Sequence, residues 1–484
     1  MMYLKGMFNF EQDSHFSRYL AYLEIFVLGS LFLLLLGQLT ALLNVDVWRQ
    51  DSIHYVTTYV DKLSEEGRWL NYVFFKLLKI TPPALCVAVS YFCLGYFVYS
   101  ASYRVIQNKR YCLALALLAL NVPVLAVQLE WPDTLLLAFI FLAAATFESK
   151  KIPDYIFFPV FACLFFGSFS AFYFLLPLLY LDRITPKYFL RLCIIWMLSF
   201  VFGYLITNLI VYAYTGDFIR IASWRNPHPI HHFSDIFTNI KQANTYFMSH
   251  MAKYLAISKV GVLVIAVIYI VASCRSINAF LTIIVSLFCA LAIYVSSIPV
   301  GIIVQERTTL TFWVAALFFG LVVKAYSQYY RFAGLLIILV LGFRMGEVSY
   351  TSIGSYANAT HSLVNQIKLS VPYAEEEVDR VYIMVSIPEA QAVFKKLEKN
   401  IEYKNHFSES VSAPLAWISA FKYLGYKNIV LCVNDETGWC AEPVKHYREL
   451  ESFEPGVHLF QSHRFGDDVI FTVNKALLSE SDLR

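Results

Sequence analysis

Acidic, basic and aromatic side chains are concentrated in one polar stretch, VDVWRQDSIHYVTTYVDKLSEEGRW at 45–69, which follows a charge-free apolar run at 25–43. Its charged residues include Asp46, Arg49, Asp51 and Arg68. A carboxylate can accept the proton of an attacking hydroxyl group, and a guanidinium group matches the geometry of a phosphate. The stretch therefore offers the groups that transfer from a phosphate-linked donor requires, although a solvated loop would have the same composition.

Two further charged clusters stand at the boundaries of apolar runs. The segment QLEWPDTLLLAF contains Glu130 and Asp133, and Asp133 is either a functional carboxylate or the N-cap of the next helix. The segment VQERTTL contains Glu306 and Arg307. These two residues are either functional or a pair whose charged ends snorkel from the membrane boundary to water. Both clusters are open to a structural and a functional interpretation.

A fourth cluster, TGDFIRIASWRNPHPIHHFSD, is rich in cationic side chains. It contains Arg220, Arg225, His228, His231 and His232. Three neighbouring histidines suggest a metal site, but His228 and His231 flank a proline and have no helical spacing. We therefore predict a flexible substrate or interface loop with Arg220, Arg225 and His228 rather than a metal site; no cofactor is expected, and a divalent metal stays possible but unsupported.

The composition of the whole chain is that of a membrane protein. Of its 484 residues, 58% are hydrophobic and 15% are charged, whereas soluble domains are about half apolar and about a quarter charged. The net charge of +3 does not indicate a nucleic-acid partner. A helix needs about 20 apolar residues to cross the hydrocarbon layer. The apolar runs predict eleven segments, at 20–43, 82–103, 111–129, 134–147, 155–167, 168–181, 188–213, 254–274, 277–304, 308–323 and 332–350.

Basic connectors between the apolar runs predict the orientation. Lys and Arg collect in short cytoplasmic loops, and they recur here in alternate connectors. The N-terminus is then cytoplasmic, and four loops face outward, at 44–81, 129–133, 214–253 and 300–307. The charge-free run 155–181 is predicted to be a hairpin turning at Gly167 and Ser168, because basic clusters flank both of its ends.

A change of composition divides the chain into a membrane domain, 1–351, and a small α/β domain, 352–484. The segments VDRVYIMVSI and KNIVLCV are typical of strands, and PEAQAVFKKLEKN and APLAWISAFKYLGY have helical spacing. The segment HLFQSHRFGDDVIFTVN is typical of a hairpin with a Gly-Asp turn. The odd number of membrane segments places this domain outside the cytoplasm, where Cys432 and Cys440 are either a disulfide or two free thiols.

The charged clusters gather at the outer ends of the segments rather than in their middles. Ion and proton carriers place ionisable residues within the membrane, and secondary transporters tend to show internal repeats, which this sequence lacks. The amphipathic stretch GRWLNYVFFKLLK is typical of a helix in the interface plane, from which Arg68 would meet a lipid phosphate. An acid and an arginine beside lipid suit transfer from a lipid-phosphate donor.

The same residues resemble a known family. The N-terminal anchor, the loop RQDSIHYV…EEGRWLNYVFFKLL and the segment LEWPDTLLLAF resemble the serotype-converting (Gtr-type) glucosyltransferases of bacteria and phages. These enzymes belong to the GT-C class, which uses polyprenyl-phosphate sugars. Asp51 matches the second of the family's paired aspartates, Gly67-Arg68 matches its Gly-Arg pair, and Asp133 matches the acid that opens its fourth span.

The sequence departs from the family pattern at two positions. Gln50 stands where the family has its first aspartate, and His54 stands where it has an arginine. Asp46 could supply the missing carboxylate, and Arg49 could supply the missing ligand of the donor phosphate.

The resemblance implies an all-α, GT-C-like polytopic protein of the bacterial inner membrane with its C-terminal α/β domain in the periplasm. It implies an inverting transfer of glucose from undecaprenyl-phosphate-glucose to an O-antigen sugar of lipopolysaccharide. The expected base is Asp51, with Asp46 as second choice. Arg68 and Arg307 are expected to hold the donor phosphate, and Asp133 to orient donor or acceptor.

Three alternatives stay open. The chain could be another GT-C enzyme, transferring an aminosugar or mannose, or an O-antigen polymerase or ligase. It could be a flippase or transporter of lipid-linked sugars. It could also be a non-catalytic assembly partner that would tolerate loss of every acid in its loops.

Overall fold

Helices make up most of the chain that the structure describes. The computed structural model describes residues 14–48, 52–273, 276–319, 328–386, 388–390, 392–393, 415–432, 438–449 and 459–478. These residues fold as two compact units. The described parts of Met1–Gly37, Tyr59–Gln128 and Thr134–Ser349 form the first unit, and those of Gln38–Thr58, Leu129–Asp133 and Tyr350–Arg484 form the second.

The described α-helices include long apolar helices and shorter helices that connect them. They are α1 Ser14–Leu43, α2 Val60–Glu66, α3 Trp69–Val73, α4 Phe75–Ile80, α5 Pro83–Ile106, α6 Lys109–Leu120, α7 Pro123–Gln128, α8 Pro132–Glu148, α9 Asp154–Ser168, α10 Pro186–Thr215, α11 Phe233–Ser273, α12 Ile277–Ser297, α13 Leu310–Leu317, α14 Gln328–Ser370, α15 Leu415–Tyr423 and α16 Ala441–Glu449. A 3-10 helix, Ser170–Arg183, joins α9 to α10.

Several of these helices are long and apolar enough to cross a membrane. Five qualify by length and composition, namely Phe16–Leu43, Pro83–Ile106, Pro186–Thr215, Ile277–Ser297 and Arg331–Ser370. The bent pair Phe233–Ser258 and Val260–Val267 would make a sixth. The prediction of eleven spans is therefore not confirmed. In the predicted segment 111–129, for example, α6 ends at Leu120 and a new helix starts at Pro123, because proline has no amide hydrogen with which to continue a helix.

The run 155–181 folds back on itself, as the basic residues at its two ends predict. Helix α9 ends at Ser168, Phe169 is extended, and the 3-10 helix returns. Near the open end of this hairpin the ring of Phe157 contacts the ring of Tyr180, with centroids 5.7 Å apart. The apolar side chains of the returning arm are buried, so the hairpin is a packed element of the first unit.

Helix α14 is longer than the last predicted membrane segment. That segment was expected to end at residue 350, whereas the helix continues to Ser370. The predicted domain boundary, between residues 351 and 352, lies inside the helix, and the second unit begins within it at Tyr350. A change from apolar to polar composition marks a change of surroundings and need not mark the end of a helix.

The second unit contains a four-stranded sheet in the order β2-β1-β4-β3. Its strands are β1 Arg380–Met384, β2 Asn428–Leu431, β3 Phe460–Phe465 and β4 Asp468–Val473. Strand β1 pairs in parallel with β2 and β4, and β3 pairs antiparallel with β4. Gly466, with φ +64°, makes the turn of the hairpin. The predicted strands and the predicted hairpin are confirmed.

Two other expectations for the second unit can be compared with the structure. The helix predicted over 413–426 is present as α15. Of the helix predicted at 388–400, the structure describes 388–390 and 392–393, which are helical. Cys432 and Cys440 form a disulfide, so of the two alternatives for this pair the bonded one holds.

Candidate functional site

A buried carboxylate in the first unit gathers three cationic side chains. The Glu66 side chain, at the end of α2, is 4% exposed and pairs with Lys62 (Nζ to Oε1, 2.9 Å), with Arg225 (3.4 Å) and with Arg68. We call these four residues the cationic cluster. The guanidinium of Arg68 also lies over the ring of Phe169, 5.7 Å from its centroid. The cluster holds three formal positive charges against one negative charge.

A glycine makes the turn that brings Arg68 next to Glu66. Gly67 ends α2 in the left-handed conformation, with φ +69°. A Cβ atom at this position would lie 2.8 Å from both Ile219 Cδ1 and Thr207 Cγ2. Gly67 is needed for two reasons. It allows the positive φ, and it leaves room for Thr207 of α10 and for Ile219 in the loop after α10.

That loop, between α10 and α11, supplies Arg225. Its path is fixed at two points: the amide of Arg220 donates to the carbonyl of Ser64 (2.8 Å), and the amide of Ile303 donates to the carbonyl of Arg225 (3.1 Å). The side chain of Arg220 is 72% exposed and pairs with Asp217. The two arginines predicted for a substrate loop thus have different surroundings, and Arg225 is the one in the cluster.

Trp224 links the cluster to Arg307. The guanidinium of Arg225 lies 4.8 Å from the centroid of the indole, and that of Arg307 lies 5.9 Å from it. The face of an indole attracts cations, so one ring can hold two guanidinium groups. The carbonyl of Arg307 accepts a hydrogen bond from Gln128 Nε2 (2.5 Å). The structure thus brings Arg68, Arg225 and Arg307 into one region of the first unit.

Two other residues of the predicted clusters have identified partners in the first unit. Glu306 pairs with Lys253. His228 Nδ1 lies 3.2 Å from Asn239 Oδ1, and the carbonyl of His228 accepts a hydrogen bond from Asn239 Nδ2 (2.9 Å). These contacts give His228 a place in holding the loop that carries Arg225.

The electrostatics of the cluster favour an additional negative charge. Burial by itself raises the pKa of Glu66, but the charges of Arg68, Lys62 and Arg225 outweigh it and hold the pKa well below its usual range. The pKa of Arg225 is lowered by burial; Glu66 raises it, and the charges of Arg68 and Arg307 lower it further. The Nε of Arg225 is buried, and none of the described residues accepts a hydrogen bond from it. An anion with several acceptor oxygens would relieve both the repulsion and the unmet donor.

In the second unit, Asp133 holds Ser52 and His54, in the part of the first predicted outer loop that belongs to this unit. Asp133 is fully buried in the first turn of α8. Its Oδ2 accepts hydrogen bonds from Ser52 Oγ (2.7 Å) and from the amide of His54 (3.0 Å), and His54 Nε2 lies 3.7 Å away. A helix N-terminus favours a carboxylate. Asp133 therefore ties a distant loop to its helix, a role that neither sequence interpretation of this residue anticipated.

Asp46 and Tyr55, in the same loop, are also engaged within the second unit. Asp46 Oδ2 lies 2.6 Å from His361 Nδ1, and Oδ1 accepts a hydrogen bond from the hydroxyl of Tyr423 (3.4 Å). The hydroxyl of Tyr55 accepts a hydrogen bond from the amide of Trp48 (3.1 Å). Burial raises the pKa of Tyr55 to about 12 against the effect of that hydrogen bond, and nearby carboxylates add to the rise. Tyr55 is therefore neutral.

Some predicted site residues lie outside the described part of the chain, and some residues of the site were not predicted. Asp51 and Arg49, the predicted base and a predicted phosphate ligand, lie outside the described residues. The sequence interpretation gave no role to Glu66, Lys62, Trp224 or Ser52. A signal for one of these contacts was present, since Lys62 and Glu66 stand four residues apart, the spacing at which opposite charges pair on a helix.

Within the described ranges, no three His, Cys, Asp or Glu side chains come together in a way that could hold a metal ion. Comparison of the chain with known protein families, with curated proteins and with solved structures gave no match. The function has to be argued from the site itself.

Proposed function

We propose that the protein is a membrane glycosyltransferase that moves a sugar, glucose by its resemblance, from an undecaprenyl-phosphate carrier to an O-antigen sugar. The observation that carries the proposal is the cationic cluster, in which Lys62, Arg68 and Arg225 share one buried carboxylate. The cluster belongs to the same unit as most of the long apolar helices, as a site for a lipid-linked anion would.

The cluster would hold the phosphate of the donor. Guanidinium groups donate paired hydrogen bonds to phosphate oxygens, and three cations beside one carboxylate favour an added anion. The phosphate gains negative charge as its bond to the sugar breaks. Fixed positive charge therefore stabilises the transition state more than the bound donor, which is the requirement for a faster reaction.

The acceptor side of the reaction needs a base. The acceptor oxygen forms a bond to C1 of the sugar while the bond from C1 to the phosphate oxygen breaks, which inverts the configuration at C1. The proton of the acceptor hydroxyl passes to a carboxylate. From the resemblance we assign this role to Asp51, with Asp46 as second choice. Asp133 would contribute by holding Ser52 and His54, which follow Asp51 in the same loop.

In this proposal the protein lies in the bacterial inner membrane with eleven segments, a cytoplasmic N-terminus and a periplasmic α/β domain. The Cys432–Cys440 disulfide supports that side for the second unit, because disulfides persist in oxidising compartments such as the periplasm. The proposed acceptor, an O-antigen sugar, is found on the same side.

The test is transfer of label from radiolabelled polyprenyl-phosphate-glucose to lipopolysaccharide by the purified protein in lipid nanodiscs. We expect transfer by the wild type, none by Asp51→Asn, and a loss of about 10- to 150-fold in Arg225→Gln, which corresponds to one charge-assisted hydrogen bond of about 1.5–3 kcal/mol.

The matched control is Arg220→Gln, in the same loop, because the side chain of Arg220 is exposed and pairs with Asp217. It should change the rate less than about threefold, as exposed ion pairs contribute little. Absence of transfer to any glycan by the wild type would reject the proposal for this donor. Equal losses in Arg220→Gln and Arg225→Gln would reject the role of the cluster.

A further inference from the structure

Two side chains from the C-terminal part of the second unit contact the segment 44–58, which is the part of the first predicted outer loop in this unit. Lys422 Nζ donates to the carbonyl of Tyr55, and the hydroxyl of Tyr423 donates to Asp46. Both donors belong to α15, at the opposite end of the sequence from the loop that they contact. The Lys422 contact reaches a main-chain carbonyl and so fixes the path of the loop, whereas the Tyr423 contact holds a side chain.

Helix α15 is itself firmly placed by the core of the α/β domain. Trp417 and Phe421 are fully buried. The ring centroid of Trp417 lies 5.1 Å from that of Phe460, and that of Phe421 lies 4.9 Å from that of Phe471. Aromatic residues in such arrangements contribute strongly to core packing. Lys422 follows Phe421 directly in the chain, so its position is set by the sheet.

The extended end of α14 holds the start of the same loop. The hydroxyl of Tyr356, which is buried, donates to the carbonyl of Val47 (2.9 Å). One turn further along, His361 contacts Asp46, and Asn365 Nδ2 lies 2.9 Å from His361 Nε2. The part of α14 beyond residue 350 thus has a structural role, because its side chains make these contacts.

The same segment is fastened to Asp133 by Ser52 and His54. Val47 and Ile53, which lie among these anchored residues, are buried. The segment is therefore held by the C-terminal part of the chain at Asp46, Val47 and Tyr55, and by Asp133 at Ser52 and His54.

We infer that the C-terminal α/β domain is a positioning element for the segment 44–58, the part of the first predicted outer loop that lies in the second unit, with Lys422 and Tyr356 as positioning residues. The inference rests on the proposed function, since it gives this domain a part in the transfer step: the loop is the stretch from which the base is proposed. Loosening the loop lowers the turnover number, while the binding of the donor phosphate, assigned to the cationic cluster, is unchanged.

The test uses the full chain in nanodiscs and compares Lys422→Met with Lys427→Met. Methionine keeps the apolar stem of lysine and removes its charge. Lys427 is exposed, lies in the same domain and forms no hydrogen bond or ion pair with any residue that the structure describes, so it is the matched control. Tyr356→Phe, which removes a single hydroxyl group, is a second variant in case Lys422→Met does not fold.

The first readout is hydrogen–deuterium exchange, which does not depend on activity. We expect the amides of Trp48, His54 and Tyr55 to exchange about tenfold faster in Lys422→Met and Tyr356→Phe, the effect of losing one hydrogen bond in a locally opening segment. Exchange in β1 and β4 stays unchanged and reports that the domain is folded. Equal exchange of the loop amides in wild type and variants would overturn the inference, whatever the activity of the protein.

The second readout is transfer kinetics with the polyprenyl-phosphate-glucose donor. A fall of about tenfold in kcat with an unchanged KM for the donor supports positioning, because the lost contact acts on the loop and not on the donor site. Faster exchange without any change in kcat would overturn the positioning role. A wild type without transfer activity would reject the proposed function, while the exchange measurement would still decide whether the domain holds the loop.

Discussion

Replacement of Glu66 by glutamine would show whether the cationic cluster is a set of charges held together by one acid. The substitution keeps the size of the side chain and removes its charge. Glu66 is 4% exposed, and its partners Lys62, Arg68 and Arg225 are 22%, 15% and 27% exposed. Removal of one member of a buried pair costs about 3–5 kcal/mol. Because water reaches the three cations in part, we take the lower end, about 3 kcal/mol.

For a unit of this size about 3 kcal/mol corresponds to a decrease in Tm of about 4–5 °C. The assay can use the protein's own thiols, since Cys86, Cys93, Cys112 and Cys289 are buried in the first unit and unbonded. A thiol-reactive dye added during heating reports their exposure on unfolding. The control is Glu65→Gln, at the neighbouring acid, which forms no ion pair with any residue that the structure describes.

A second measurement separates the charge from the shape of the side chain. The three cations of Glu66→Gln should take up an anion, so inorganic phosphate at 100 times its Kd would restore about 2.7 kcal/mol. The same phosphate concentration should stabilise the wild type less, because Glu66 already occupies the cluster. A Tm for Glu66→Gln equal to that of Glu65→Gln, or equal stabilisation of wild type and Glu66→Gln by phosphate, would refute the reasoning.

Three further predictions concern Gly67, the pH dependence due to Glu66, and the disulfide of the second unit. Gly67→Ala should destabilise the first unit more than Gly216→Ala in the same thermal assay: both glycines have positive φ, which costs another residue about 1–2 kcal/mol, but only at Gly67 would a Cβ meet neighbours at 2.8 Å, and equal losses would contradict this packing. The pKa of Glu66 is depressed, so its contribution to stability is present above the unfolded pKa of about 4.3 and is lost as pH falls toward the folded value. The Tm gap between wild type and Glu66→Gln should thus be constant from pH 8 to about 5 and shrink only below about pH 4, and a gap that shrinks near pH 6 would be inconsistent with it. Replacing Cys432 and Cys440 by serine should remove about 2–3 kcal/mol from the second unit, seen as faster amide exchange in β2, whereas unchanged exchange there would mean that the disulfide adds no stability.

The local elements of the second unit could be predicted from the sequence, and the sites could not. The turn at Gly466 and the helical spacing of α15 are signals carried by neighbouring residues, so a short window contains all the information they need. The cationic cluster combines residues from α2, from the turn after it and from the loop before α11, and Trp224 links it to Arg307 in the segment before α13. Arg68, Arg225 and Arg307 could be chosen from the sequence as candidate site residues, because they are arginines and lie outside the apolar runs. The sequence could not show that Glu66 and Trp224 bring them together, because that depends on long-range packing.

The surroundings of the acidic residues in the two units reduce the number of candidates for the proposed base. The resemblance ranks Asp51 first and Asp46 second as the base, but the sequence does not show how the other acids of the predicted outer loops are engaged. Glu66 is held ionised among three cations, which makes it a counter-ion and a poor proton acceptor. Asp133 is fully buried and accepts two hydrogen bonds from the loop. Asp46 is engaged by His361 and Tyr423, although its side chain keeps 25% exposure. The order of Asp51 first and Asp46 second stays a proposal from the resemblance, and an active Asp51→Asn together with an inactive Asp46→Asn would reverse it.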